Sequence, residues 1–164
     1  MFKVGELLVY PTQGLAEVQG IETRNVGAQS VEFYILRIVS KNLAIMVPVA
    51  NETRIGLRKV VAQDQLLEVI DILRAPSDHH YSQWHHRYTD NFEKLKSGSI
   101  SRTAEVVRDL YWLKQRKNLA IKESRMMDTA LQLLTAEIAA SKAIPEQEAT
   151  HIIQNALDHP ASTC

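Results

Sequence analysis

Cysteine is almost absent from the sequence, and histidine is unevenly placed. The chain has one cysteine, Cys164, so an intrachain disulfide and a thiolate metal site are both excluded. Residues 1–76 contain no histidine, and their carboxylates show no paired spacing. His79, His80, His85 and His86 cluster later, but no HExxH spacing or carboxylate set accompanies them. We therefore expect no metal, no cofactor and no enzymatic activity.

Long apolar runs are also missing. No stretch approaches the roughly 18 apolar residues of a membrane helix, although 45% of the residues are hydrophobic. The first residues have too short an apolar run for a signal peptide. These features predict a soluble, non-secreted protein that resides in the cytoplasm and makes no membrane contact.

The sequence has no net charge, but its positive charge is concentrated in one place. Residues 82–125 hold ten Lys or Arg against five acids, and both tryptophans, Trp84 and Trp112. Residues 1–76 balance at eight of each sign, and residues 126–164 are acidic. Cations neutralise phosphates and aromatic rings stack on or wedge between bases, so this stretch is a candidate nucleic-acid surface. A helical domain with merely solvated cations fits the stretch equally well.

The first 76 residues alternate short β-rich runs with turn signals. We expect strands near residues 7–10, 15–22, 32–40, 43–47 and 57–61. Strands of this number and length favour a small SH3/Tudor-like β-barrel. Residues 43–48 are the candidate edge strand, and Met46 in it is either a contact residue or a core methionine.

Helical periodicity begins at Asp64, where residues 64–73 are expected to close the barrel. Residues 74–78 then indicate a linker, so the predicted domains are 1–76 and 77–164. In the second domain, an apolar stripe predicts a first helix with a buried face. Its members are Trp84, Tyr88, Phe92 and Leu95. Further helices are predicted from Ser101 to Lys117, from 121 to 142 and from Pro145 to near His159. The predicted class is α+β, with the barrel followed by an all-α helical bundle.

Several motifs, in order along the chain, resemble the CarD/CdnL family of bacterial transcription regulators. They are FKVGELLVYPTQGLAEVQGIETR, FYILRI, IMVPVANETRIGLRKV, W-x-x-RY, EKLKSGS, AEVVRDLYW and ESRMM. The resemblance implies an N-terminal domain that docks on the β subunit of RNA polymerase. It also implies a helical domain that contacts promoter DNA without sequence specificity. In the family, a tryptophan enters the minor groove at the upstream edge of the bubble and stabilises the open complex.

The resemblance assigns roles to particular residues. Arg24, Met46 and Pro48 fall on polymerase-contacting positions. Trp84 matches the wedging tryptophan, and His86, Arg87 and Arg125 fall on or beside basic positions that approach DNA. Met46 replaces an Arg of some relatives, and His86, Thr89 and Ser124 replace basic residues of others, which implies weaker DNA contact.

The expected protein is a monomer that is nucleoid-associated through RNA polymerase. The alternative is a polymerase-bound adaptor whose helical domain recruits another protein rather than DNA. Steep salt dependence would favour DNA, since phosphate contacts weaken with salt and apolar docking does not.

Overall fold

A computed structural model describes residues 1–77 and 84–161, and for Trp84 it describes the backbone alone. The chain divides into two compact units, Met1–Val60 and Val61–Cys164. The first is built on β-strands and the second on helices, which confirms the predicted α+β class. Among the described helices, none is long and apolar enough to cross a membrane.

The N-terminal unit is one antiparallel sheet of five strands in the order β4-β3-β2-β1-β5. The strands are β1 (Leu7–Tyr10), β2 (Gly14–Val26), β3 (Gln29–Ile38), β4 (Leu43–Pro48) and β5 (Arg58–Lys59). A short 3-10 turn (Val49–Asn51) and the one-turn helix α1 (Glu52–Ile55) connect β4 to β5. The small SH3/Tudor-like N-terminal unit is therefore confirmed, with β4 at one edge of the sheet.

The second strand is longer than predicted. β2 continues past Glu22 to Val26, where Gly27 at a φ of 65° begins the turn into β3. The register shifts by one residue between Val18 and Gly20, a β-bulge of the kind that bends a strand and increases its twist. Beyond the bulge, residues 22–26 are exposed. The sheet therefore has a packed half and a projecting hairpin arm.

Tyr34 is the largest fully buried side chain of this unit. Its hydroxyl accepts a hydrogen bond from the Phe2 amide at 3.1 Å and donates one to the Glu52 carboxylate. Burial, with the neighbouring Glu52, raises the pKa of Tyr34. Around it pack the other buried residues of this core: Leu8, Ala16, Val18, Leu36, Ile38, Val47 and Leu57. Tyr34 thus joins the start of the chain and α1 to the sheet.

The described part of the second unit contains five helices. They are α2 (Gln65–Arg74), α3 (Trp84–Lys96), α4 (Ile100–Arg116), α5 (Ile121–Lys142) and α6 (Glu146–Asp158). Asp64 caps α2, with its carboxylate accepting from the Gln65 amide. Helix α4 begins at Ile100, one residue before the predicted start at Ser101, because Ser99 has the extended backbone of a cap and its hydroxyl accepts from the Arg102 amide.

Helix α2 belongs to this unit, and the prediction that it closes the barrel is wrong. Its buried residues Leu66, Val69 and Leu73 lie in one apolar cluster with side chains of α4, α5 and α6. The unit boundary therefore precedes α2, whereas the predicted boundary at residue 76 follows it. The predicted helix is present as α2, but its apolar face packs against helices rather than strands.

The helical unit is tied to its first residue by two hydrogen bonds. The Val61 amide donates to the buried Glu137 carboxylate at 3.0 Å, and the Ser141 hydroxyl donates to the Val61 carbonyl at 2.7 Å. Both partners lie on α5, one turn apart. They hold the incoming chain against the last third of that helix.

Removing the Tyr34 hydroxyl is expected to destabilise the N-terminal unit. Tyr34→Phe leaves the buried ring in place but deprives the Phe2 amide and Glu52 of a partner, which costs about 1–2 kcal/mol of unfolding free energy. Chemical denaturation measures the change. Tyr10→Phe is the matched control, because the Tyr10 hydroxyl makes no hydrogen bond within the described residues. Equal stability of the two variants would contradict the structural role of the Tyr34 hydroxyl.

Candidate functional site

Helix α3, which begins at Trp84, has an inner face that differs from the predicted one. Among its described side chains, the buried ones are Arg87, Asn91 and Leu95, one per turn, and two of the three are polar. Of the predicted apolar stripe, Leu95 is buried and Tyr88 packs partly against the core. Phe92 is 46% exposed, and its ring stacks on the partly buried Tyr88 with centroids 6.4 Å apart. The Trp84 side chain lies outside the described residues.

Arg87 forms a buried, two-pronged ion pair with Glu123 of α5. Nε donates to Oε2 at 2.6 Å and Nη2 donates to Oε1 at 2.7 Å. The two side chains are 8% and 1% exposed. The hydrogen bonds from Arg87 to Glu123 raise the pKa of Arg87. The prediction that Arg87 contacts DNA directly does not fit this geometry, since its guanidinium is buried and occupied.

The ion pair places the first turns of α3 and α5 next to each other. Arg87 lies in the first turn of α3, three residues after Trp84, and Glu123 is in the first turn of α5. His85 and His86 are exposed on the α3 side. On the α5 side, residues advance about 100° around the axis per position. Lys122 and Ser124 therefore flank Glu123, while Arg125 lies about 200° away.

The position of each basic residue around α5 decides how near it lies to the ion pair. Arg125 is exposed, as a phosphate-binding residue must be, but it projects from the far side of α5 relative to the pair. Lys122 is also exposed and is closer in angle to Glu123. It is one of the ten Lys and Arg of residues 82–125 but was not predicted to contact DNA. Its position one residue before Glu123, which is buried, is the sequence signal that would have indicated it.

Most cations of the predicted basic stretch remain on the surface. Three are used internally, in ion pairs of Arg87 with Glu123, Lys94 with Glu105 and Arg108 with Asp109. Seven others are exposed: Lys96, Arg102, Lys114, Arg116, Lys117, Lys122 and Arg125. Five of those seven lie between residues 114 and 125, around the turn from α4 to α5. The described surface of the helical unit is therefore basic beside the start of α3.

Trp112, the other tryptophan of residues 82–125, packs within the helical unit. It is partly buried on α4, edge-on to Tyr111 with ring centroids 6.0 Å apart. Its indole Nε1 is buried and has no hydrogen-bond partner within the described residues. Trp112 is thus not a surface aromatic of the kind that base contact requires.

The three predicted polymerase-contacting residues share one face of the sheet in the N-terminal unit. Arg24 pairs with Val31, Met46 with Ile35 and Pro48 with Phe33. Directly opposed residues of antiparallel strands project on the same side, as do alternate residues of one strand. Val31, Phe33 and Ile35 alternate with the buried Tyr34, Leu36 and Ile38. The three predicted residues therefore lie on the face opposite the core.

This outer face is apolar in its middle and charged at one side. Val31, Phe33 and Ile35 are half-buried along its centre, and Met46 is 40% exposed beside them on the edge strand β4. Met46 is therefore not a core methionine. Arg24 is exposed and donates to the Glu22 carboxylate at 3.0 Å. Phe33 and Ile35 were missed as site residues, although their alternation with the core positions of β3 places them here.

Metal binding by the histidine cluster finds no support in the described part of the chain. Residues 1–77 and 84–161 contain no group of three or more His, Cys, Asp or Glu side chains able to hold a metal ion. His79, His80 and Cys164 lie outside the described residues.

Comparisons with known proteins identify the two units. The family model for the CarD-like/TRCF RID domain matches residues 2–61, and the model for the CarD C-terminal domain matches residues 68–154. A Bacillus subtilis (strain 168) protein described as "Putative transcription factor YdeB" is 30% identical over 148 residues, which cover 90% of this chain and 97% of that protein.

A solved structure is also similar. It is the solution NMR structure of the 72-residue N-terminal domain of Myxococcus xanthus CarD, at 34% sequence identity, covering 36% of this chain and 79% of that one, with a TM-score of 0.32. The sheet unit and the helical unit together define a two-part α+β regulator architecture. The chain belongs to the CarD-like family of transcription factors.

Proposed function

We propose that this protein regulates transcription initiation by docking on the β subunit of RNA polymerase and stabilising the promoter open complex. The N-terminal unit provides the polymerase contact, through Arg24, Met46 and Pro48. The helical unit contacts promoter DNA in the minor groove at the upstream edge of the bubble, through Trp84 and the basic residues near it. The observation that carries the proposal is the turn of Trp84, fixed by a buried ion pair beside exposed cations of α5.

The chemistry of the helical surface suits this role. Inserting an aromatic ring between stacked bases costs an unstacking free energy of a few kcal/mol. At the edge of a melted bubble the bases are already partly unstacked, so this cost is smaller and the ring favours the open state selectively. Cations on either side neutralise phosphates without reading base sequence. The proposal gives the chain no catalytic step.

The absence of net charge explains why two contacts are needed. With no net charge, the molecule has no overall attraction to DNA, and the basic patch alone gives local, weak binding. When the N-terminal unit is held on polymerase, the helical unit is confined near the promoter, and its effective concentration rises. Weak DNA contact is then sufficient.

A second candidate function is supported by Tyr88 and Phe92. Their stacked rings expose apolar surface on α3, and such surface is typical of protein contacts. In this alternative, the protein is a polymerase-bound adaptor whose helical domain recruits another protein.

Trp84→Ala is expected to shorten the lifetime of the open complex while leaving polymerase binding unchanged, because the wedge is lost and the docking face is intact. Dissociation of preformed complexes after competitor addition measures the lifetime, and a pull-down with the β subunit measures docking. Trp112→Phe is the matched control, since Trp112 is partly buried and should not affect lifetime. An unchanged lifetime in Trp84→Ala would contradict the wedge assignment.

Met46→Asp is expected to abolish recruitment, because a charge in an apolar contact is desolvated without a partner. Binding to the isolated β subunit is the measurement, with Arg24→Glu as a second variant on the same face. Val4→Asp is the control: Val4 is 61% exposed and lies outside the strands of the sheet. If both Asp variants bind equally well, the outer face of the sheet is not the docking surface.

The salt dependence of the affinity distinguishes DNA contact by the helical unit from the adaptor function. If Lys122 or Arg125 contacts phosphate, its change to Gln should reduce the slope of log affinity against log salt by about 0.9 per contact. The affinity is that of the protein for polymerase on promoter DNA. Lys142→Gln, at the opposite end of α5, should leave the slope unchanged. Identical slopes for all variants would favour the adaptor.

A further inference from the structure

We infer that Arg87 and Glu123 are positioning residues, whose buried ion pair sets the direction in which the first turn of α3 presents Trp84. The inference rests on the proposed function of Trp84 and adds the device that orients it. The pair itself contacts neither polymerase nor DNA.

The described side chains provide little apolar packing at this end of α3. Of these, the buried apolar one is Leu95, eleven positions beyond Trp84 and about 16 Å along the axis. In the first two turns, the buried side chains among those described are Arg87 and Asn91, and Tyr88 packs partly against the core. The Asn91 Nδ2 has no hydrogen-bond partner within the described residues. The two bonds from Arg87 therefore join this end of α3 directly to α5.

The geometry of the ion pair restrains direction as well as distance. A guanidinium that meets a carboxylate through two parallel N–H···O bonds fixes both distance and direction, which one point charge does not. Here both bonds are short, at 2.6 and 2.7 Å. Each partner is set in a helix, so the pair restrains rotation of α3 about its own axis. Rotation about that axis is the motion that would redirect a side chain three residues away.

The orienting role of the pair is separable from its contribution to stability. Removing one partner of a buried pair is strongly destabilising, but replacing both by apolar residues of similar volume is often neutral or stabilising. The net gain in folding free energy from such a pair is therefore small. A double apolar replacement can remove the directional restraint while the fold persists, which makes the positioning role testable on its own.

The test is the double variant Arg87→Met with Glu123→Leu. We expect it to fold with stability near that of the wild type and to bind polymerase equally well. At saturating protein, open-complex lifetime should fall by about fivefold, the factor that corresponds to roughly 1 kcal/mol. In a Trp112→Phe background, the fluorescence anisotropy of Trp84 should decay faster than in the wild-type pair.

The control is a second ion pair on the same helix. Lys94 meets Glu105 of α4 at 3.0 Å, ten residues from Trp84. Lys94→Met with Glu105→Leu should leave both lifetime and anisotropy unchanged. Wild-type lifetime in the Arg87/Glu123 double variant would overturn the inference. So would an equal loss in the Lys94/Glu105 variant, because the effect would then be general loosening of α3.

Arg87→Lys keeps the inference falsifiable if the double variant does not fold. It preserves the buried charge but replaces the fork with a single ammonium. We expect a shortened lifetime with unchanged polymerase affinity, and a wild-type lifetime would overturn the positioning role. If the wild-type protein itself docks on polymerase without lengthening the lifetime, the proposed function fails instead. Trp84 anisotropy, measured without polymerase, then still decides whether the pair restrains α3.

Discussion

The buried bond between Arg87 and Glu123 is the interaction on which the helical unit's surface depends. It joins α3 to α5 at a place where the described side chains provide little apolar packing. It also buries Arg87, a cation that the family resemblance assigns to DNA contact. A charge so deeply buried is sustained only by a partner of matching geometry. The cations that remain exposed near the pair, including Lys122, therefore lie beside the first turn of α3, whose position the pair restrains.

In the N-terminal unit, the two faces of one sheet differ, because one packs into the core and the other is turned outward. One face of β3 supplies Tyr34, Leu36 and Ile38 to the core, and the other presents Phe33 and Ile35 outward. Strand alternation makes both possible in a single strand. The outward face ends at β4, which is hydrogen-bonded on one side only. The docking surface proposed here therefore needs no element beyond the strands that already build the core.

Sequence patterning predicted the α+β class, the strand series and most helices, because alternation and helical periodicity are local properties. It failed where the outcome depended on a distant partner. The face that α3 buries includes Arg87, whose partner Glu123 lies 36 residues later, and Phe92, which was predicted to be buried, is 46% exposed. The packing of α2 was likewise set by α4 and α6. Family resemblance supplied Arg24, Met46 and Trp84, whose roles no periodicity indicates.

Helix α5 also has a mechanical consequence. Near its end, Glu137 and Ser141 grip the backbone of Val61, and in its first turn Glu123 holds Arg87. Fourteen residues of helix separate Glu123 from Glu137, a rigid strut of about 21 Å. The two attachments lie on one continuous helix, so a bend or rotation of α5 moves the backbone at Val61 and the base of α3 together.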